Sequence, residues 1–156
     1  MTPDIPRPVL KGKKALVIGV ANDSSIAYGC AKAFRELGAD VAITYLNDKA
    51  KPHVEPLARE LEASLFLPLD VAVPGALERV FEEVAAKWGK LDILVHSIAF
   101  APKEDLQGGL LNCSAEGFAK AMDVSCHSFV RMAKLAAPLM KDGGTMFAMS
   151  YHGAAK

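Results

Sequence analysis

A short apolar run, Ala15 to Ile18, meets Gly19, passes through the polar turn Asn22 to Ser25, and enters a helical pattern that runs from Ile26 to Leu37. No other feature constrains the chain as strongly. A strand that feeds a helix through a glycine turn leaves the first N–H groups of the helix pointing outward without partners. The helix dipole favours negative charge at the same place. The turn therefore suits an anion, and a phosphate is the expected one. It is not a P-loop, because no Gly-Lys-Ser/Thr follows, and it is not G-x-G-x-x-G, because only Gly19 and Gly29 are present. On this motif alone, an ordinary strand-to-helix connection remains the other reading.

Apolar runs and helical patterns alternate along the rest of the chain. Strands are expected at Lys13–Val20, Asp40–Leu46, Leu65–Val71, Leu91–Phe100 and Gly144–Ser150. Helices are expected at Ser25–Leu37, Lys49–Ala63, Pro74–Trp88 and Ser114–Met140, with a loop from Ala101 to Cys113. Pro56 disturbs the second helix pattern, Ser114 suits an N-cap, and Pro138 should bend or end the last turn of the fourth helix. Near-continuous apolar strands belong to a parallel sheet covered on both faces. The predicted fold is α/β: a Rossmann-type doubly wound parallel sheet in three α/β/α layers, with strand order 3-2-1-4-5, read as one dinucleotide-binding domain over residues 1–156. Such folds carry further strand–helix units of about 30 residues each. The pattern is accordingly read as truncated after strand five.

Composition removes several classes of function. The chain has 156 residues, 51% hydrophobic and 23% charged, which describes a globular domain. Its formal net charge is zero, so there is no basic footprint for nucleic acid or an anionic membrane. No apolar run approaches the roughly 20 residues that span a bilayer. Met1 to Pro8 holds three prolines and no signal-like apolar segment, and is expected to be a loose arm. Cys30, Cys113 and Cys126 show no C-x-x-C spacing, and His53, His96, His127 and His152 show no H-x-x-x-H spacing. Free thiols in a reducing cytoplasm, with no metal site, are the expectation.

In open parallel sheets, ligands bind beyond the carboxyl ends of the strands. At the end of strand three, Asp70-Val71 could accept from an adenine amino group or cap the turn before Pro74. After strand two comes Leu46-Asn47-Asp48, where Asp48 stands either as a ribose-diol acid or as the cap of the next helix. No arginine is nearby for a 2′-phosphate, and Lys49 is the one basic candidate, which favours NADH over NADPH. After strand four comes His96-Ser-Ile-Ala-Phe100, small residues where a ribose and nicotinamide need close approach to backbone.

Together, Gly19-Val-Ala-Asn-Asp-Ser-Ser-Ile-Ala-Tyr-Gly29, Thr44-Tyr-Leu-Asn-Asp48, Asp70-Val71, His96-Ser-Ile-Ala-Phe-Ala-Pro102, Phe118 with Asp123-Val-Ser, and Ser150-Tyr-His-Gly153 resemble the bacterial enoyl-acyl-carrier-protein reductases. These form a divergent branch of the short-chain dehydrogenase/reductases, whose ordinary members carry T-G-x-x-x-G-x-G and N-N-A-G instead. The resemblance implies reduction of the 2,3 double bond of an acyl chain carried on acyl carrier protein, with NADH as hydride donor, in a cytoplasmic homotetramer of fatty acid biosynthesis. It implies that Gly19, Ser25 and Ile26 hold the pyrophosphate, that Asp70 and Val71 frame the adenine, and that Ser97, Ile98 and Ala99 line the nicotinamide side. Leu46 would sit beside the adenosine ribose, where other members often have glutamine. Ala101 would touch substrate through its backbone, and Tyr151 matches the first of two active-site tyrosines. The second tyrosine and its lysine would lie beyond Tyr151, so a chain ending at Lys156 is expected to bind cofactor without turning over substrate.

Three nearer pairs are set aside. Tyr28–Lys32 and Tyr45–Lys49 have the Y-x₃-K spacing of ordinary short-chain dehydrogenases, but sit on helix one and strand two. Tyr151 and Lys156, five apart, fall off a common helix face. Phe118, Met122, Phe129 and Met132 make an apolar set on helix four that could cover the sheet, form a subunit interface, or do both on different faces. The alternatives to the first reading are a reductase of 3-oxoacyl thioesters and a catalytically silent nucleotide-binding module.

Overall fold

The computed structural model describes residues 8–151. The expected loose arm, with Met1 to Arg7, and the residues His152 to Lys156 lie outside the described residues. Five parallel strands, β1 (Lys14–Ile18), β2 (Asp40–Tyr45), β3 (Leu65–Pro68), β4 (Ile93–His96) and β5 (Thr145–Ala148), form one sheet in the order β3-β2-β1-β4-β5. The order reverses between β1 and β4, so the connections on the two sides of β1 diverge and leave a crevice at the carboxyl ends.

The period of two along β1 builds both faces of the sheet. Ala15 and Val17 point to one side, where they pack with Val41, Ile43 and Val95 against Ala27, Tyr28 and Ala31 of α1 (Ile26–Glu36) and Val54 and Ala58 of α2 (Lys51–Glu60). Leu16 and Ile18 point to the other side, against Leu77, Val80, Phe81 and Val84 of α3 (Ala76–Trp88) and Met132 and Ala136 of a later helix. Both faces of β1 are fully buried, which is why its sequence shows no polar alternation.

Several expected boundaries shift for local reasons. The second helix runs unbroken through Pro56, whose missing N–H would have served the carbonyl of Pro52 in the first turn. The third begins at Ala76 and not at Pro74, because Gly75 takes a left-handed conformation (φ 76°) before it. The loop Ala101–Cys113 contains α4 (Lys103–Leu106) and a 3₁₀ turn at Leu110–Asn112. The single long helix Ser114–Met140 is α5 (Ala115–Met122), a π-turn at Asp123–His127, α6 (Ser128–Ala136) and a 3₁₀ turn containing Pro138. Ser114 caps α5 as expected, accepting from Gly117 N–H at 2.9 Å.

β5 departs from the expectation of strands buried on both faces. Its Met146 packs inward with α6, but Phe147, paired beside Val95, is 43% exposed, because no described helix covers that end of the α1/α2 face. The apolar set on the long helix divides the same way. Met132 is fully buried against the sheet, while Phe118 and Met122 are exposed.

Candidate functional site

The crevice at the carboxyl ends is a cavity of about 490 Å³. Gly19, Val20 and Ala21 after β1, Thr44 and Leu46 at the end of β2, Leu69 to Ala72 after β3, and Ser97 to Phe100 after β4 line it; Ala50, Lys120 and Val124 complete the wall. Asp70 and Lys120 are its two charged liners. A cavity of this size suits an organic cofactor.

Gly19 sets the tightest point. Its φ of 108° is a conformation that side chains rarely adopt, and a methyl group there would overlap the Ser97 carbonyl. The exits of β1 and β4 therefore touch backbone to backbone. Beyond Gly19 the turn is held by its own polar groups. Ser25 Oγ donates to the Asn22 carbonyl at 2.7 Å and accepts from Tyr28 N–H at 3.4 Å, and Asn22 Oδ1 accepts from Ser24 N–H at 3.0 Å. Ser25, the expected first helical residue, is thus the N-cap of α1, and the helix starts one residue later at Ile26. Ile26, the first helical residue, is 65% exposed.

The β2 and β3 exits turn on Asx motifs. Asn47 Oδ1 accepts from the N–H groups of Lys49 and Ala50, both at 3.1 Å, so Asn47 and not Asp48 makes the turn into α2. Asp70 Oδ1 accepts from Ala72 N–H at 2.9 Å, which leaves Oδ2 without a protein partner among the described residues. The turn-capping reading of Asp70 and an adenine-accepting one are compatible, one oxygen for each.

The β4 exit is anchored from below. His96 is buried, and its Nε2 lies 2.7 Å from Ser128 Oγ. Ser128 donates its own proton to the Val124 carbonyl at 2.7 Å, so Nε2 carries the hydrogen and the imidazole is the Nε2–H tautomer. Burial holds the His96 pKa below the usual histidine value. Phe129 packs edge-on against the ring, with centroids 5.5 Å apart.

Of the residues singled out in the sequence, the fold brings Gly19, Leu46, Asp70, Val71, Ser97, Ile98 and Ala99 into one cavity wall. Ser25, Ile26, Ala101 and Tyr151 lie outside that wall, and Tyr151 is 76% exposed three residues past β5. Sequence reading missed Lys120 and Val124, whose helical pattern looked like ordinary cover for the sheet. The set-aside pair Tyr28–Lys32 is not part of the cavity wall. Tyr28 is buried in the α1/α2 layer, where burial first and Glu60 second raise its pKa, and Lys32 pairs with Glu60 at 3.1 Å. Among the described residues no group of three or more His, Cys, Asp or Glu side chains could hold a metal ion, and no helix is long and apolar enough to cross a membrane.

A family model described as enoyl-(acyl carrier protein) reductase matches residues 19–156. The chain belongs to that family. Relatives within the enoyl-(acyl carrier protein) reductases include the NADH enzyme 1 of Rhizobium meliloti (strain 1021), 43% identical over 95% of this chain and 54% of that protein. The NADH enzyme FabI of Haemophilus influenzae (strain ATCC 51907 / DSM 11121 / KW20 / Rd) is 44% identical over 93% of this chain and 56% of its own length. The crystal structure of the Anaplasma phagocytophilum enoyl-(acyl carrier protein) reductase, solved in complex with NAD, superposes with a TM-score of 0.89 at 44% identity, covering 94% of this chain and 56% of that one. The chain spans about half the length of the curated relatives it matches.

Proposed function

We propose that this protein acts as an NADH-dependent enoyl-(acyl carrier protein) reductase, and that the domain described by residues 8–151 supplies its nucleotide-binding part. One observation carries the reading: seven residues from four separate strand exits converge on one cavity with almost no charge. The residues fit a dinucleotide. Gly19 lets the β1 exit pack backbone to backbone against Ser97, where a Cβ would overlap the Ser97 carbonyl, and so brings the β1 and β4 exits together on one wall of the cavity. Ser25 and Ile26 open α1, where helix N–H groups and the dipole favour that anion. The free Oδ2 of Asp70 can accept from an adenine amino group beside Val71. Ser97, Ile98 and Ala99 give a wall of small and apolar side chains for the nicotinamide.

The bound cofactor supplies a hydride. The chain's own residues bind it, orient it and keep water from its reactive face. Leu46, 54% exposed at the β2 exit, shields the adenosine ribose without a hydrogen bond. Among the described residues no arginine lines the cavity, and its lysine, Lys120, stands over the Phe100 ring after β4 and not at the β2 exit where a 2′-phosphate would sit, so NADH is preferred. Hydride delivery to an enoyl thioester builds negative charge on the thioester oxygen, which calls for a proton donor. Tyr151 is assigned as one hydroxyl at that oxygen, and the Ala101 backbone as a substrate contact. Acyl carrier protein as the substrate carrier, a homotetramer and a cytoplasmic location complete the reading.

Titration of NADH fluorescence against the protein tests the binding part, with NADPH as comparison. Saturable binding of NADH, with NADPH at least about tenfold weaker (an unpaired phosphate costs of the order of 1.4 kcal/mol or more), supports it. No binding of either overturns it. Oxidation of NADH by a crotonyl thioester, compared with a 3-oxoacyl thioester, then reads the reaction: enoyl reduction supports the proposal, and preference for the 3-oxo substrate overturns it.

A further inference from the structure

The stretch Ile98–Ala99 makes no ladder bond, yet it forms one wall of the cavity. Pairing of β4 stops at His96, and the last bond that ties this stretch to the sheet is Ser97 N–H to the Ile18 carbonyl at 2.9 Å. Something must hold the far end. Ser125 does so on both sides of one residue: its Oγ accepts from Phe100 N–H at 3.0 Å and donates to the Phe100 carbonyl at 3.1 Å. A cation–ring contact, Lys120 Nζ at 5.3 Å from the Phe100 ring centroid, adds a second hold on Phe100 from α5, just before the π-turn.

Ser125 sits in the π-turn, where Ser128 N–H reaches back five residues to the Asp123 carbonyl. Such turns insert one extra residue into a helix and often mark functional places. Here the turn is gripped at several points. Ser128 meets His96 at the end of β4, Val124 enters the cavity wall, and one turn further on Arg131 crosses to the opposite wall. Arg131 Nη2 donates to the Val71 carbonyl at 3.0 Å, steadied by the Asp123 carboxylate at 3.6 Å. A single helical segment thus holds both the β3 exit and the β4 exit, whose residues are 60 and 25 positions away in sequence, respectively.

We propose that Ser125 and Arg131 are positioning residues: from within the π-turn and from α6 just after it they brace the Ser97–Phe100 and Asp70–Val71 walls at the separation that a dinucleotide needs. Neither has to touch the ligand. The inference rests on the proposed nucleotide function, with Asp70–Val71 as the adenine side and Ser97–Ala99 as the nicotinamide side. It assigns each end of the brace to one half of the ligand. Loss of Ser125 Oγ loosens the nicotinamide wall alone, whereas loss of the Arg131 guanidinium loosens the adenine wall.

The experiment uses Ser125→Ala, Ser125→Thr and Arg131→Met in the protein with its whole sequence, and two readouts. The first needs no ligand. Amide hydrogen exchange at Phe100 should speed up at least about tenfold in Ser125→Ala, the equivalent of one lost hydrogen bond, and return towards the parent rate in Ser125→Thr. The second compares NADH with AMP. Ser125→Ala should weaken NADH about five- to tenfold and leave AMP unchanged; Arg131→Met should weaken both by similar factors. A role in stability alone would lower the melting temperature without splitting the two ligands. Unchanged exchange at Phe100 in Ser125→Ala, or an equal loss of NADH and AMP affinity in Ser125→Ala, would overturn the brace. If Ser125→Ala does not fold, Arg131→Met still decides, because full retention of AMP affinity contradicts the proposal. Failure of the parent protein to bind NADH and AMP overturns the nucleotide reading instead, and the exchange result separates the two failures.

Discussion

The two ends of this sheet solve opposite problems. At the amino ends of the strands, charge closes on itself. Asp92, 11% exposed in its side chain, accepts from Lys14 N–H at 2.9 Å, from Lys13 Nζ at 3.1 Å and from Lys90 Nζ at 3.2 Å, while Lys14 Nζ pairs with Asp40. Burial raises the Asp92 pKa, but these donors outweigh it and hold the carboxyl below the usual aspartate range. At the carboxyl ends the strands stop at small residues and Asx turns, and no ion pair joins two of the exit loops among the described residues. One end is internally satisfied; the other keeps polar groups in reserve for a ligand. A sheet of uniform core can therefore be stable at one edge and receptive at the other.

Substituting Gly19 should test the receptive edge most severely. Gly19→Ala forces a Cβ into the Ser97 carbonyl at a positive φ, with an expected destabilisation of about 3 kcal/mol and loss of measurable NADH binding, read by urea denaturation and fluorescence titration. Asp92→Asn, at the closed edge, should cost about 2 kcal/mol from lost charge-assisted bonds and leave NADH affinity unchanged in the folded protein. A change in affinity there would break the separation of the two edges.

His96 joins the two behaviours, because it is buried beneath the receptive edge. Its folded pKa lies below the ordinary value of 6.5. The unfolded chain thus binds a proton that the folded chain resists, and stability is complete above about pH 6.5 and declines as pH falls towards the lowered folded value. Denaturation midpoints between pH 7.5 and 5 should show this slope, and His96→Gln should flatten it. The smallest expected effect sharpens the comparison at the ribose. Leu46→Gln, at an exposed position, should change stability by less than about 0.5 kcal/mol and tighten NADH up to about fivefold through one new hydrogen bond, measured by the same titration.

The strand order and both faces of the sheet were legible in the sequence because they follow from local rules: apolar runs of strand length, helical spacing, and glycines at turns. The cavity wall was legible for the same reason, since strand ends are marked by Gly19, Asp70 and the small residues after His96. What was not legible depends on distant partners. The π-turn leaves no mark in a pattern of apolar positions, and Ser125 gains its role only when Phe100 is brought beside it. Asn47 and Asp48 are adjacent residues of similar turn chemistry, and only the backbone path chose between them. The exposure of Phe147 follows from what lies next to β5, which its own residues do not encode.

The loop after β4 shows how closely that dependence is drawn. Asp105 Oδ1 accepts from Ser114 N–H at 2.6 Å, and a methyl group on Gly117 would overlap the same carboxylate, so the loop is seated on the first turn of α5.

The near absence of charge in the cavity has a consequence for how a ligand arrives. Lys120 and Asp70 offset one another, so the site projects little field beyond its own mouth. A dianionic cofactor would be held by N–H dipoles that act only at contact. Salt at 0.15 M screens beyond about 8 Å, where this site has nothing to lose. Capture should proceed at an unsteered rate, and occupancy should be nearly indifferent to ionic strength.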